Sequence, residues 1–237
     1  MNKLILVTGA GRGLAYEVTK LHLSMGDEVY AYECNPTDEL TALEKASGGR
    51  LHIYLCDIGN TESVRDAVAD LLASGKRLDI IYNIAGLYSE ADRVGLEETD
   101  LDAGMHMYNV NGVGLLRVCK AVFPLIGKGT LVANVTSESG SVTNCFRASE
   151  YMYGISKAAA NMASRLLSNE LYPLGARVIC FHPGWLRTRM GGARAANSKH
   201  SISAQESAGN IVNITTRIET IPSSWLFMQH DGSLLPW

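Results

Sequence analysis

Leu4-Ile5-Leu6-Val7-Thr8-Gly9-Ala10-Gly11-Arg12-Gly13-Leu14-Ala15 is the stretch that decides the fold. Its opening run of apolar residues without polar alternation reads as a strand buried on both faces. The strand enters a glycine-rich turn directly, and an amphipathic helical pattern over 13–25 follows. Glycines at such a turn let the backbone approach a pyrophosphate, and the helix N-terminus offers free N–H groups with a favourable dipole. The spacing is T-G-x-x-x-G-x-A rather than G-x-G-x-x-G, because position 14 is Leu. Ala15 stands where a third glycine is common, and it is still small enough for close helix–strand packing. Gly9, Arg12, Gly13 and Leu14 are therefore candidate contacts of a bound dinucleotide. The alternative is a tight strand-to-helix turn with no ligand.

Outward from this turn the same alternation continues. Strand patterns at 28–33, 51–56, 78–83, 130–136, 176–182 and 225–229 join the first at 3–8. Helical patterns lie at 37–47, 60–74, 98–126 (broken), 151–172 and 203–219. Ser203 with Glu206 reads as a capping box opening the last of them. Strand–helix alternation predicts an α/β fold of Rossmann type, a doubly wound parallel sheet of about seven strands with helices on both faces. With no repeat and no linker, residues 1–237 read as one domain. The least patterned stretch, 187–202, reads as a mobile loop that forms much of a substrate pocket and orders on binding.

Composition narrows the function. Hydrophobic residues make up 46% and charged residues 19%, so the chain folds rather than staying disordered. A net charge of 21 − 24 = −3 lacks the basic footprint of a nucleic-acid binder. The five cysteines, Cys34, Cys56, Cys119, Cys145 and Cys180, are odd in number and scattered. That argues against a disulfide framework or a metal site and suits a reducing compartment. No apolar run approaches the ~20 residues of a membrane span, and the N-terminal run is too short for a signal peptide. The expectation is a cytoplasmic protein with no membrane or nucleic-acid partner.

Glu33 ends the second strand pattern, 20 residues after Gly13. A carboxylate there accepts hydrogen bonds from both hydroxyls of an adenosine ribose and repels a 2′-phosphate. Arg12 pulls the other way, since a guanidinium in the turn would pair with that phosphate. The balance favours NAD(H), with NADP(H) as runner-up. A solvated strand-end carboxylate is the bland reading of Glu33. Asp57 and Ile58 follow the third strand, where Asp57 either meets the adenine amino group or simply enters a helix. Asn83, Ala85 and Gly86 end the fourth, on the path of the cofactor over the carboxyl edge of the sheet. Asn83 has the alternative role of tying neighbouring strands together.

Tyr153-Gly-Ile-Ser-Lys157 supplies the chemistry. Residues four apart share a helix face, so phenol and ammonium converge. A free phenol has a pKa of about 10, and a fixed positive charge favours the phenolate, making a tunable acid/base for an alcohol–carbonyl pair. Ser137 ends a buried strand 16 residues earlier and can hold a substrate oxygen. Thr136 and Ser139 are its competitors, and a turn or cap role is the bland alternative. Tyr151 lacks a lysine four residues on, because Ile155 stands there. Asn111 lies mid-helix, where a poor helix former needs a reason. Either it binds a water joined to Lys157, or it bends the helix. Pro183, Gly184, Leu186 and Thr188 follow the sixth strand. Leu186 main-chain groups and the Thr188 hydroxyl are placed to grip a nicotinamide carboxamide, while His182 reads as a structural strand-end residue.

With these residues in hand, the chain resembles the single-domain short-chain dehydrogenase/reductase family over nearly its whole length. Thr8–Ala15, Asp57, Asn83–Gly86, Asn111, Ser137, Tyr153–Lys157 and Pro183–Thr188 match in the family's order. The resemblance implies a tetrad of Asn111, Ser137, Tyr153 and Lys157, hydride transfer at the nicotinamide, a small carbonyl or alcohol substrate, and a homodimer or homotetramer pairing through 98–126 and 151–172. His182–Thr188 and the ending Asp231–Trp237 look like the C-factor-like and sniffer-like carbonyl reductase branch. Three departures stand: Ala15, Ile84 in place of a second Asn, and a Ser137-to-Tyr153 gap that is longer than usual. Two rival functions share the residues: a non-enzymatic dinucleotide-binding sensor or signal, and a sugar-nucleotide epimerase or dehydratase.

Overall fold

A computed structural model describes residues 2–224 and 226–237. All seven expected strands form: β1 Leu4–Thr8, β2 Glu28–Glu33, β3 Leu51–Leu55, β4 Ile80–Asn83, β5 Leu131–Val135, β6 Arg177–His182 and β7 Phe227–Gln229. Trp225, where the last was expected to begin, lies outside the described residues. The strands make one sheet in the order β3-β2-β1-β4-β5-β6-β7. Every pairing is parallel, with Thr8 beside Tyr32 on one side and Asn83 on the other. The order reverses between β1 and β4, and ligands of such sheets bind outside the carboxyl ends at that switch.

The helices are α1 Gly13–Ser24, α2 Asp38–Ala46, α3 Thr61–Ala67, α4 Ala69–Ser74, α5 Leu101–Tyr108, α6 Gly114–Ala121, α7 Tyr151–Leu171, α8 Gly192–Ala196 and α9 Ala204–Thr216. Successive strand residues feed opposite cores. Leu4 and Leu6 pack with Val64, Leu71, Val118 and Leu167, under α3, α4, α6 and α7. Ile5 and Val7 pack with Val18, Leu40 and Ile211, under α1, α2 and α9. Burial of β1 on both faces is what its unbroken apolar run requires. Among the described residues no helix is long and apolar enough to cross a membrane.

Two expectations needed correction, those at 60–74 and 187–202. The 60–74 helix is two short ones joined at the buried Val68, whose ψ of −5° departs from the helical value. The 98–126 pattern is broken, as expected: it divides into α5, a π turn at Asn109–Val113, α6 and a 3-10 turn at Phe123–Leu125. Asn109, Asn111, Gly112 and Gly114 are poor helix formers concentrated at the break. The 187–202 segment is folded rather than open. It carries α8 and is pinched at its base, where Arg187 N–H donates to Ile202 C=O at 2.9 Å and Ile202 N–H to Trp185 C=O at 3.0 Å. Buried Ser201 closes it, donating to the Ala195 and Ser198 carbonyls. The two main-chain bonds at the base join opposite ends of the segment, and periodicity does not record them.

Candidate active site

The nucleotide end is built by three loops that meet at the carboxyl edge. Gly9 and Gly13 take φ of 73° and 56°, which only glycine adopts cheaply. A Cβ on Gly9 would stand 2.9 Å from Ala85 Cα, and one on Gly13 would stand 3.4 Å from Thr188 Cγ2. Thr8 Oγ1 fixes the approach by accepting from the N–H groups of Ile84 and Ala85 at 3.0 and 3.1 Å. Thr8 was thus a functional support that the glycine reading passed over. Leu14 and Ile58 place their side chains in the two cores, leaving only main-chain groups for a ligand. Asp57 is exposed and its Oδ1 accepts from Gly59 N–H at 2.8 Å, while Asn60 is the cap of α3.

Glu33 is not a solvated strand end. It is 5% exposed, and its carboxylate accepts from Gly11 N–H at 2.7 Å and Asn35 N–H at 3.2 Å. A negative charge is therefore fixed inside the glycine turn, with exposed Arg12 beside it. Asn83 does tie strands, donating to Asn134 Oδ1 at 2.8 Å. Its own Oδ1, like Thr136 Oγ1 nearby on the sheet edge, is buried without a hydrogen-bond partner among the described residues. Unsatisfied polar atoms beside a glycine cradle suit a polar ligand laid across this edge, so the residues present fit a dinucleotide.

At the chemical end a cleft of about 560 Å³ opens over Ser137 and Tyr153, walled by Tyr88, Phe146, Trp185 and Met190. Ser137 stands just beyond β5, and its Oγ donates to Ser139 Oγ at 3.0 Å while accepting from Ser139 N–H at 3.1 Å. The turn that carries it lies directly on α7, since a Cβ on Gly140 would fall 2.4 Å from the Lys157 carbonyl carbon. Tyr153 and Lys157 share one face of α7, with Nζ 5.8 Å from the phenol ring centroid. Lys157 donates to Val135 C=O at 3.3 Å. Burial pulls its pKa down to about 8. Burial also pushes the Tyr153 phenol up to about 12, against the lowering effect of the Ser137 hydroxyl. Desolvation is thus the dominant influence on the phenol in this structure.

Asn111 sits in the π turn, as a helix-bend residue would, and its amide is committed. Oδ1 accepts from Leu87 N–H at 2.7 Å, and Nδ2 donates to Leu87 C=O at 2.8 Å and Ser156 Oγ at 3.0 Å. A Cβ on Gly86 would lie 3.1 Å from Asn111 Oδ1 and 3.7 Å from Lys157 Nζ, so the two residues border one small space. His182 accepts from Glu138 N–H at 3.3 Å, and burial drops its pKa to about 4, which makes it a neutral support. Pro183 C=O accepts from Ser207 Oγ at 2.7 Å, and Gly184 takes φ of 83°. The Leu186 carbonyl is taken by Thr188 N–H at 2.9 Å, which leaves its N–H as the main-chain group for a ligand.

Around the cleft runs an ion-pair chain that sequence reasoning missed. Arg147 grips Glu138 through two bonds of 2.8 and 2.9 Å and reaches Glu150 at 3.0 Å. Arg93 joins Glu150 from the other side at 2.8 Å. Arg147 and Glu150 come from the lengthened stretch before Tyr153, and that extra length was the available signal.

A family profile described as short chain dehydrogenase matches residues 3–199. The 1-hydroxy-2-glutathionyl-2-methyl-3-butene dehydrogenase of Rhodococcus sp. (strain AD45) is 31% identical over 233 residues, covering 98% of this chain and 99% of the relative. The carbonyl reductase Sniffer of D. melanogaster superposes with a TM-score of 0.86 at 26% identity, over the whole of both chains. An NADPH-bound carbonyl reductase from chicken fatty liver gives a TM-score of 0.87 at 23% identity, over 100% of this chain and 99% of that one. Fold, ordered motifs and relatives agree: the chain belongs to the short-chain dehydrogenase/reductase family of oxidoreductases.

Proposed function

We propose that the protein interconverts a carbonyl and an alcohol by hydride transfer, with NAD(H) as its preferred cofactor and NADP(H) as the runner-up. The observation that carries the reading is the meeting of Ser137 and Tyr153 in the cleft, with buried Lys157 one helical turn from the phenol, beside a glycine cradle that fits a dinucleotide. The nicotinamide, when bound, supplies or accepts the hydride and in its oxidised form adds a positive charge that favours the phenolate. In reduction Tyr153 gives its phenolic proton to the carbonyl oxygen, and Ser137 holds that oxygen as charge develops. Lys157 lies one turn along the helix, where its ammonium steadies the phenolate left behind. Asn111 acts by holding the main chain at Leu87, next to Gly86, where Asn111 and Lys157 border one small space. Gly9, Arg12, Gly13 and Leu14 take the pyrophosphate side. Glu33, Asp57, Ile58, Asn83, Ala85 and Gly86 take the adenosine. Tyr153, Lys157, Pro183, Gly184, Leu186 and Thr188 take the nicotinamide half.

Glu33 supports NAD(H), because its buried carboxylate would oppose a 2′-phosphate at close range. NADPH in the chicken enzyme points the other way, as does Arg12 here. The Rhodococcus relative's substrate places glutathione-conjugated alcohols on the test panel. We also propose a homodimer or homotetramer formed through α5–α6 and α7, working in the cytoplasm.

Titration with NADH and NADPH, followed by turnover against carbonyl compounds and alcohols, tests the proposal. NADH should bind more tightly, and tighter NADPH binding refutes the cofactor preference. Tyr153→Phe should lose about 10²- to 10⁴-fold in kcat while cofactor Kd stays within about threefold. Near-full turnover by that variant refutes Tyr153 as acid/base.

A further inference from the structure

The catalytic helix α7 starts without a cap of its own. Glu150, the residue before it, has φ of 63° and ψ of 42° and makes no side-chain cap bond. The first N–H groups of any helix need outside acceptors. Here they find them on Asp92, a residue 61 positions before Tyr153. Tyr153 N–H donates to Asp92 Oδ2 at 2.8 Å, and Met152 N–H donates to Oδ1 at 3.2 Å. Glu150 N–H donates to the Asp92 carbonyl at 2.9 Å. Asp92 is 7% exposed, so these bonds are shielded from water. A carboxylate at this end also complements the helix dipole.

The segment that delivers Asp92 is anchored at several points. Leu87 is held at both main-chain groups by Asn111. The Tyr88 ring stands edge-on to the Tyr153 ring, with centroids 5.2 Å apart and planes at 87°. Tyr88 O–H donates to Glu150 at 2.8 Å, and Arg93 donates to the same carboxylate oxygen at 2.8 Å. One stretch, 87–93, therefore touches Asn111, the phenol ring and the first turn of α7.

We propose that Asp92 is a positioning residue for Tyr153, capping the catalytic helix from the 87–93 segment and setting where the phenol points into the cleft. The inference rests on Tyr153 being the acid/base. Its test compares Asp92→Ala, Asp92→Asn and Asp92→Glu, at saturating cofactor, with Asn60→Ala, which removes the cap of helix α3, an element that carries none of Asn111, Ser137, Tyr153 or Lys157. The readouts are kcat and KM for the best carbonyl of the panel, and hydrogen exchange across 151–156. Asp92→Ala should lose about 10- to 100-fold in kcat, as a misplaced reacting group does, with cofactor KM within about threefold. It should also lose exchange protection in the first turn of α7. Asparagine offers one acceptor oxygen for the two N–H groups, so it should fall between wild type and alanine in kcat. Glutamate, one methylene longer, should fall with alanine, and it carries the test if alanine does not fold. Asn60→Ala should lose stability without losing kcat. Wild-type kcat in Asp92→Ala or Asp92→Glu, or an equal kcat loss in Asn60→Ala, overturns the proposal. A fully active Tyr153→Phe would instead refute the acid/base assignment, and the exchange result for Asp92 would still be read separately.

Discussion

Lys157 shows at the scale of one residue how function opposes stability. It is 6% exposed, forms no ion pair among the described residues, and has one hydrogen bond to Val135 C=O. Its pKa of about 8, against an ordinary 10.5, records the cost of burying its charge. The unfolded chain binds the proton more tightly, so between those two values stability rises with pH, and below about pH 8 the full penalty is present. Lys157→Met should therefore abolish turnover yet raise the urea midpoint at pH 7, by up to about 3 kcal/mol in stability. The gap should narrow toward pH 10. A lower midpoint for the variant at pH 7 contradicts the argument. The pair Tyr153 and Lys157 was legible because a four-residue spacing fixes a shared helix face. The direction in which burial moves the phenol was not, because it depends on desolvation by neighbours far along the chain.

At the scale of the element, the start of α7 stores strain. Glu150 is the one non-glycine with positive φ among the described residues. A side chain in that conformation costs about 1–2 kcal/mol. It persists because the carboxylate bridges Arg93 and Arg147 and accepts from Tyr88 O–H. Glu150→Ala loses these bonds and keeps the strain, whereas Glu150→Gly loses the bonds and the strain together. Glycine should thus be the more stable of the two by about 1 kcal/mol, read by thermal unfolding. Equal stabilities would mean no strain is stored. The extra length between Ser137 and Tyr153 was visible in the sequence. Its use, holding the Ser137 turn to α7 through Arg147 and Glu138, came only from three-dimensional pairing.

The whole molecule gathers its chemistry on one edge because every strand is parallel. All strand ends, and the loops after them, then face the same side. A buried polar chain braces the opposite layer: His22 bonds Asp27 and Tyr82, and Tyr82 bonds Thr215, joining α1, β4 and α9. Along α7, Ile155, Met162 and Leu166 are 49, 61 and 59% exposed at helical spacing, a stripe that the two cores leave uncovered. If the proposed homo-oligomer forms there, Met162→Lys with Leu166→Lys should lower the mass seen by sedimentation while cofactor binding persists. A monomeric native protein, or a double variant of unchanged mass, would refute that contact.

The sequence by itself determined the strand–helix alternation, the glycine turn, the seven-strand sheet and the Tyr153–Lys157 pair. Each depends on local spacing, apolar periodicity or backbone freedom, which neighbours in the chain define. Tertiary structure alone decided that Glu33 locks into the glycine turn, that Asn111 holds Leu87, that 187–202 is pinched shut and that Asp92 caps α7. Each of these joins residues separated by many positions, and such pairs are fixed by packing, burial and the need to satisfy buried polar groups.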